Sequence, residues 1–170
     1  MLKVIISIIL LFFFVGCSSK NPYLKTVEKV DIQKYKGTWY EIARFEHFFE
    51  KGCKNVSATY EVKDNGKIKV INKCINIKDG KKKEAVGEAY ALDNTNSKLK
   101  VSFFKPFYGD YWIIDLDANY KYALVGSPNR EYLWILSRSK TISKEVKNSI
   151  LKKLPAHQFD KNKFIWTIQE

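Results

Sequence analysis

Few side chains in this sequence could do acid–base or nucleophilic chemistry. The two histidines, His47 and His157, both fall in predicted connecting segments rather than on alternating apolar faces. The chain contains no Gly-x-Ser-x-Gly elbow, no His-Glu-x-x-His pair and no phosphate-binding loop, which are the patterns that place a nucleophile, a zinc ion or a nucleotide. We therefore expect both histidines to be surface residues, and we predict no catalytic residue, no metal site and no cofactor.

Three cysteines are the remaining reactive side chains. Cys17 closes an N-terminal segment in which Lys3 precedes an almost wholly apolar stretch at 4–15 and then Gly16. This stretch of about a dozen residues is shorter than the ~20 that span a bilayer, so it is typical of a secretory signal. Its end resembles a bacterial lipoprotein signal over residues 1–16, which implies that Cys17 is lipidated and becomes the mature N-terminus.

Two neighbours of Cys17 bear on this interpretation. Phe14 stands where the lipoprotein signal usually has Leu, and Ser18 follows the cysteine, which resembles an outer-membrane address. The alternative is a plain signal peptide with an incidental cysteine. We expect a protein that is lipid-anchored in the outer membrane and faces the periplasm, with residues 17–29 forming the lipidated N-terminus and a linker.

With Cys17 lipidated, Cys53 and Cys74 remain as a pair in an oxidising compartment. Cys53 stands just before a predicted strand and Cys74 stands at the end of the next one. A hairpin brings such positions together, so we predict a disulfide rather than two free thiols.

The formal net charge of the chain is +12, which could attract anionic headgroups or nucleic acid. The lysines are scattered and alternate with apolar residues, as on a solvated strand face, and the run at 81–83 follows Asp79-Gly80 in a predicted turn. No basic helix or stacking motif accompanies the charge, so we exclude nucleic acid as a partner.

Apolar and polar residues alternate along most of the mature chain, which favours half-buried strands. Turn signals such as Asp64-Asn65-Gly66 separate them, and Pro106 and Gly109 bracket another turn. The predicted strands cover 55–63, 67–77, 83–92, 99–103, 110–117, 120–126, 131–138 and 163–168. One helix is predicted over 142–154, capped by Thr141 or Ser143 and ended by Pro155. Consecutive hairpins favour an all-β, antiparallel up-and-down barrel over residues 30–170, with the helix packed outside.

Three motifs resemble those of the lipocalins, and specifically the bacterial lipocalins related to apolipoprotein D. They are GTWYEIAR at 37–44, DLD with Tyr120 and YALVG at 115–126, and YLWILSR at 132–138. The resemblance implies an eight-stranded barrel in which Trp39 plugs the closed end and Arg138 packs across it. Both residues would then be structural, because a guanidinium over an indole gains cation–π attraction.

An eight-stranded barrel has room for one small ligand, and the alternation predicts a mostly apolar lining. Its predicted members are Ala58, Tyr60, Val70, Asn72, Gly87, Ala89, Val101, Phe103, Val125, Tyr132 and Trp134. The strand at 110–117 is apolar on both faces, so its inward side is not set by alternation, and the register that the resemblance implies adds Tyr111 and Ile113. Small residues at 87, 89 and 91 suggest free space, although Phe103 or Trp134 could occupy it. The resemblance implies a fatty acid or a lysophospholipid as the ligand.

Two other functions stay open at this point. One is a lipid-modifying enzyme, for which Cys53 or an inward Glu41 with a raised pKa could serve; we interpret Glu41 instead as a hydrogen-bonded group near the barrel floor. The other is a structural envelope lipoprotein with a filled barrel. A homodimer is compatible with the sequence, which does not fix the oligomeric state.

Overall fold

The computed structural model describes residues 23–170, so Cys17 and the signal at 1–16 lie outside the described residues. Within residues 23–170, nine antiparallel strands and two α-helices follow one another, with short 3-10 turns between some of them. The strands are β1 (Gly37–Phe45), β2 (Cys53–Val62), β3 (Ile68–Asn76), β4 (Lys82–Ala91), β5 (Lys98–Phe104), β6 (Phe107–Leu116), β7 (Tyr122–Gly126), β8 (Leu133–Ser137) and β9 (Phe164–Trp166), and the helices are α1 (Ile32–Tyr35) and α2 (Lys144–Lys153). Over this part of the chain, neither helix combines the length and apolar character needed to cross a bilayer.

Strands β1 to β8 form a closed barrel in sequence order, because β1 pairs with both β8 and β2. The predicted eight-stranded up-and-down barrel with one helix outside is therefore confirmed. The β1–β2 pairing covers only Gly37 to Tyr40. Above it, β9 pairs with β1 at Ala43 to Phe45, and the backbone N–H of Asn55 on β2 donates to the carbonyl of Ile168. The C-terminal segment thus fills the gap where β1 and β2 diverge.

Several element boundaries differ from those predicted. The β5–β6 turn is only Lys105 and Pro106, so β6 begins at Phe107 and includes Gly109, which pairs with Val101. The turn expected between Pro106 and Gly109 was wrong because Gly109 is an ordinary ladder residue. Ser143 caps α2 by accepting from the N–H of Val146.

Two apolar clusters hold the fold together. One fills the barrel interior around Trp39, Tyr60 and Leu99. The other lies outside the barrel, where Ile150 and Leu154 pack against β-strand residues such as Leu124 and Ile135. The predicted helical stripe, with Ile142 and Val146, faces this outer cluster.

The predicted linker at 17–29 is docked on the barrel where the structure describes it beyond Tyr23. Leu24 is buried, and Val27 donates a backbone hydrogen bond to Ile113. Thr26 also hydrogen-bonds to Ser97 through their hydroxyls. Residues 24–29 therefore do not form a free linker. The segment is polar on average, but the side chains of Leu24 and Val27 pack against the two apolar clusters.

The disulfide between Cys53 and Cys74 is present, with a Cα–Cα distance of 5.6 Å. It joins β2 to β3 at the end of the barrel where β1 ends and β2 begins. The predicted pairing is confirmed.

Arg138 closes the opposite end of the barrel. Its guanidinium carbon lies 4.0 Å from the ring centre of the fully buried Trp39. Its Nη atoms donate to the carbonyls of Lys34, Tyr35, Lys36 and Thr38 at 2.7–3.1 Å. Between these carbonyls the chain turns at Gly37, whose φ is +93° and whose Cβ, if it had one, would meet Arg138 Nη1 at 3.4 Å. This is the arrangement that the lipocalin resemblance implies for Trp39 and Arg138.

Replacing Arg138 with Met should lower the free energy of unfolding by about 2–3 kcal/mol, because four carbonyls lose a charged donor and the indole loses its cation. Urea unfolding measures the change. Lys121→Met removes an exposed cation from the neighbouring turn and should change stability by less than about 0.5 kcal/mol. Equal effects of the two substitutions would contradict a structural role for Arg138.

Candidate functional site

The predicted lining residues lie mostly on the inner face of the barrel. Tyr60, Val70, Ala89, Ile113 and Val125 are buried in the interior cluster. Partly buried side chains pack against them, namely Ala58, Val101, Tyr111 and Trp134. Strand register joins these positions: Ala58 pairs with Asn72, Val70 with Gly87, Ala89 with Val101, and Val125 with Trp134.

Phe103 occupies the space that the small residue at 87 leaves. A Cβ at Gly87 would lie 2.8 Å from the Phe103 ring and 2.6 Å from the carbonyl of Ser102. The Phe103 side chain is nevertheless 42% exposed. The free space expected at Gly87 is therefore filled, by one of the two side chains that the sequence named for it.

Tyr132 lies in the β7–β8 loop rather than in a strand, because its N–H bonds to the Ser127 hydroxyl. Its ring stacks on that of Trp134 with centroids 5.9 Å apart. Asn72 is only partly buried, but its side-chain oxygen is enclosed and has no hydrogen-bond partner among the described residues.

Three tyrosine hydroxyls bond to one another inside the barrel. Tyr111 lies 2.7 Å from Tyr35 and 2.8 Å from Tyr60, measured between hydroxyl oxygens. Burial raises the pKa of all three phenols, so all stay protonated. Alternation predicted Tyr60 and the family resemblance added Tyr111, but neither indicated Tyr35, which comes from α1 and not from a strand.

A charged cluster lies in the upper part of the barrel, beside the β1–β2 loop. Glu41 faces inward by alternation with Trp39, and a register irregularity between Glu41 and Ala43 turns Arg44 to the same inner face. Arg44 Nη1 lies 2.7 Å from Glu41 Oε1, and Nη2 donates to the carbonyl of Glu50 at 2.9 Å. The Thr167 hydroxyl donates to Glu41 as well. Glu41 is thus buried and hydrogen-bonded as expected, but it belongs to this upper cluster and not to the floor.

His47 completes the cluster and corrects a prediction. It was expected at the surface, but it is buried against Trp134 and Tyr132, with ring centroids 5.3 and 5.9 Å away. Its Nε2 lies 3.1 Å from Glu50 Oε2. His47 is buried because the loop at 46–52 folds back over the barrel mouth. That tertiary contact leaves no pattern in the sequence. His157 lies in the turn after α2, where its carbonyl accepts from Arg130 Nε.

Two carboxyls share one guanidinium in this cluster, which sets its charge. Burial, the charge of Glu50 and its hydrogen bond raise the pKa of Glu41 to about 8, although Arg44 and Thr167 act in the opposite direction. Burial lowers the pKa of His47. At neutral pH Glu41 thus holds its proton beside Arg44.

The cluster can hold a polar group at the mouth, but it does not pair a base with a nucleophile. Cys53 is bonded to Cys74, and the described residues contain no group of three or more His, Cys, Asp or Glu side chains able to hold a metal. A surface cavity of about 190 Å³ reaches Arg44 between the β1–β2 loop and the C-terminal segment. A second, of about 350 Å³, lies at the upper ends of β3 and β4 beside Lys73 and Lys82.

The chain is similar to known proteins over most of its length. The family described as "Lipocalin-like domain" matches residues 30–169. "Outer membrane lipoprotein Blc" of Escherichia coli (strain K12) is 49% identical over 161 residues, covering 93% of this chain and 91% of the relative. "Apolipoprotein D" of Macaca fascicularis is 36% identical over 84% of this chain and 79% of its own.

Solved structures agree with this. Insecticyanin from the tobacco hornworm Manduca sexta superposes with a TM-score of 0.72 at 27% identity, over 88% of this chain and 86% of its own. Apocrustacyanin C2 superposes with a TM-score of 0.68 at 20% identity, over 82% and 80%. At that lower identity the likeness shows the fold alone.

Raising the pH should destabilise the protein through Glu41. Its pKa rises from 4.5 to about 8 on folding, so between these values the folded state holds a proton that the unfolded state has lost, and stability falls by on the order of a few kcal/mol. Urea unfolding at pH 5, 7 and 9 should show this decline in the wild type and a flatter profile in Glu41→Gln.

Glu61→Gln, an exposed carboxyl on β2, is the matched control and should keep the wild-type profile. His47 acts in the opposite sense, since its lowered pKa removes stability as the pH falls below about 6.5. The difference between wild type and Glu41→Gln isolates Glu41. Parallel profiles for these two proteins would show that Glu41 is ionised throughout.

Proposed function

The chain belongs to the lipocalin family, in its bacterial outer-membrane lipoprotein group, and from this premise we propose that it binds, stores or transports fatty acids or lysophospholipids in the cell envelope without catalysis. The observation that supports the proposal is that apolar and charged side chains occupy separate regions of the barrel interior. Its inner strand faces are apolar around Val70, Ala89 and Val101, and its charged cluster lies only at the mouth.

Binding in this proposal is a partition of the acyl chain from water into the barrel. Each methylene that enters the apolar interior contributes ~0.8 kcal/mol. The lower interior is occupied by the bonded tyrosines, so the acyl chain lies in the upper half, along Ala58, Val101 and Trp134. The headgroup then stays near Arg44 and His47, where the guanidinium N–H groups and the imidazole nitrogens can form hydrogen bonds with it.

A filled, structural barrel is the second candidate, and the ring of Phe103 against Gly87 favours it. In the binding proposal the half-exposed Phe103 moves aside when the acyl chain enters. Organic extraction of the purified protein, followed by mass spectrometry, separates the two candidates. Co-purified acyl lipid in near-stoichiometric amount supports the carrier, and its absence supports the filled barrel.

An enzyme acting on a lipid is the weaker alternative. Cys53, the nucleophile that such an enzyme would use, is held in the disulfide. Of the two available acid–base groups, Glu41 is hydrogen-bonded to Arg44, and His47 lies 3.1 Å from Glu50 with no hydrogen bond to its ring nitrogens among the described residues. We therefore propose no reaction for this site.

The chain is an outer-membrane lipoprotein, as its relatives with that name indicate. We propose that Cys17 carries the lipid, that residues 1–16 are the cleaved signal, and that the barrel faces the periplasm. The short segment after Cys17 would then tether the domain that begins at residue 30 to the membrane. A homodimer stays compatible with this arrangement.

Filling the upper interior should abolish binding while the barrel still folds. Val101→Trp places an indole on the inner face, and we expect affinity for oleate and for an oleoyl lysophospholipid to fall at least about tenfold, because the indole displaces several methylenes. Isothermal titration calorimetry measures the affinity, and circular dichroism checks the fold.

Lys100→Trp is the matched control, because it adds the same side chain one residue away on the outer face, where Lys100 pairs with Asp110. It should bind like the wild type. If both variants bind with unchanged affinity, the acyl chain does not lie along Val101 and the proposed site is wrong.

Replacing Cys17 with Ser, with a cleavable signal peptide that is not of the lipoprotein type in place of residues 1–16, should convert the protein from a lipid-anchored to a peripheral, salt-sensitive species. Without the acyl anchor only reversible surface attachment is left, and high salt weakens its electrostatic part. Cell fractionation with a high-salt wash, followed by detergent extraction, makes the measurement. A variant that still requires detergent for release would show that Cys17 is not the anchor.

A further inference from the structure

We propose that the open end of the barrel docks on an anionic lipid bilayer, with aromatic side chains inserted among the headgroups and lysines around them. This surface, the open rim, consists of the loops at 46–52, 77–81, 105–106 and 127–132 with the adjoining strand ends. It is an additional interaction site on the protein and does not depend on which ligand the barrel carries.

Strand order places all four loops at one end of the barrel. In an up-and-down barrel the connections alternate between the two ends, so the β1–β2, β3–β4, β5–β6 and β7–β8 loops lie together. The other end is closed by Trp39 and Arg138. The open rim therefore surrounds the barrel mouth.

The open rim exposes aromatic side chains in pairs. Phe48 and Phe49 in the first loop are 75% and 68% exposed, and their ring centroids lie 3.7 Å apart. Phe104 and Phe107 flank the β5–β6 turn, are 77% and 72% exposed, and stack at 6.5 Å. Ile77 in the β3–β4 loop is also exposed, and its backbone N–H donates to the carbonyl of Gly52 in the first loop. Single exposed apolar residues are ordinary, but paired aromatic tips on two loops at the same end of the barrel mark an interaction site.

Lysines surround these aromatic tips. Residues 46–52, 77–83 and 105–106 carry exposed lysines at six positions, namely 51, 78, 81, 82, 83 and 105. Their acidic residues are Glu46, Glu50 and Asp79; Glu50 faces Arg44 and His47, and Asp79 faces Lys81. Lys105 pairs with Glu88 on β4 at 3.2 Å, so it is the rim lysine that an acidic strand residue partly neutralises. The fourth loop adds Arg130 and Glu131, which balance. The open rim is therefore positive.

Charge complementarity indicates which partner binds the open rim. Aromatic rings with flanking lysines match the interface of a bilayer that contains anionic lipid. A second copy of the chain would set one positive rim against another, and the repulsion disfavours that occupant. Docking also places the mouth against the lipid, so that an acyl chain can pass between barrel and bilayer without crossing water.

Vesicle co-sedimentation of the mature chain, residues 17–170 carrying Cys17→Ser, tests the proposal without the contribution of an acyl anchor or of the apolar signal at 1–16. The probes are vesicles of phosphatidylethanolamine with phosphatidylglycerol and vesicles of phosphatidylcholine alone. Binding should be stronger to the anionic vesicles and should weaken with salt. Equal binding to both vesicle types, or none to either, would overturn the proposal.

Two double variants test the aromatic tips: Phe48→Ser with Phe49→Ser, and Phe104→Ser with Phe107→Ser. Each should weaken vesicle binding about tenfold or more, because two inserted rings are lost. The matched control, Tyr90→Ser with Leu92→Ser, removes exposed apolar groups at β4 and the turn after it, away from the open rim, and should bind as before. If rim and control variants bind alike, docking at the open rim is wrong.

Lysine variants test the charge in the same assay. Lys51→Gln with Lys105→Gln should weaken binding to anionic vesicles, whereas Lys36→Gln with Lys121→Gln at the closed end should not. Equal losses would indicate general attraction by net charge and would overturn the proposal. Rim variants that change the sedimentation-velocity mass but not vesicle binding would assign the open rim to a second copy.

Oleate affinity of the rim variants, measured in solution, separates this proposal from the carrier function. Unchanged affinity with lost vesicle binding supports docking by the open rim. If the wild type binds vesicles but no oleate, the carrier proposal fails and the docking surface stands.

Discussion

The guanidinium of Arg138 is the contact on which the organisation of the barrel depends. It holds the carbonyls of Lys34, Tyr35, Lys36 and Thr38 together and covers the indole of Trp39. Because these groups belong to α1, β1 and the end of β8, one cation ties the first and last barrel strands to the segment that plugs the barrel. With that end closed, the interior is reached from the other end.

Irregular backbone positions decide what the interior contains. The irregularity after Glu41 turns Arg44 inward and places Ala43 and Phe45 in the outer cluster, whereas strict alternation from Trp39 would leave Arg44 outside and turn Ala43 and Phe45 inward. Glu41 and Glu50 then both face one buried guanidinium. Burial, followed by the charge of Glu50, raises the pKa of Glu41, and Arg44 offsets this only in part. The same cluster receives Thr167 from the C-terminal segment, so the gap between β1 and β2 and the mouth are held by connected polar contacts.

The sequence was sufficient for the fold because alternation and turn residues are local signals. Register carries Tyr60, Val70 and Ala89 inward together, and hairpin geometry brings Cys53 to Cys74. What it could not provide depends on tertiary contact. His47 is buried only because its loop folds over Trp134, Leu24 is buried only because the segment before the barrel docks on it, and the filling of the space at Gly87 depends on the rotamer of Phe103.

The lower and upper parts of the barrel interior differ in the hydrogen-bonding groups that are available to a ligand. In the lower level the hydroxyls of Tyr35, Tyr60 and Tyr111 bond to one another, so a headgroup placed there would break existing bonds and lose its own hydration. In the upper level the nitrogens of His47 and Arg44 Nε have no hydrogen-bond partner among the described residues, although both lie near Glu50. The cost of desolvating the headgroup thus favours a ligand whose acyl tail enters the barrel first and whose headgroup stays at the mouth, beside the open rim and its lysines.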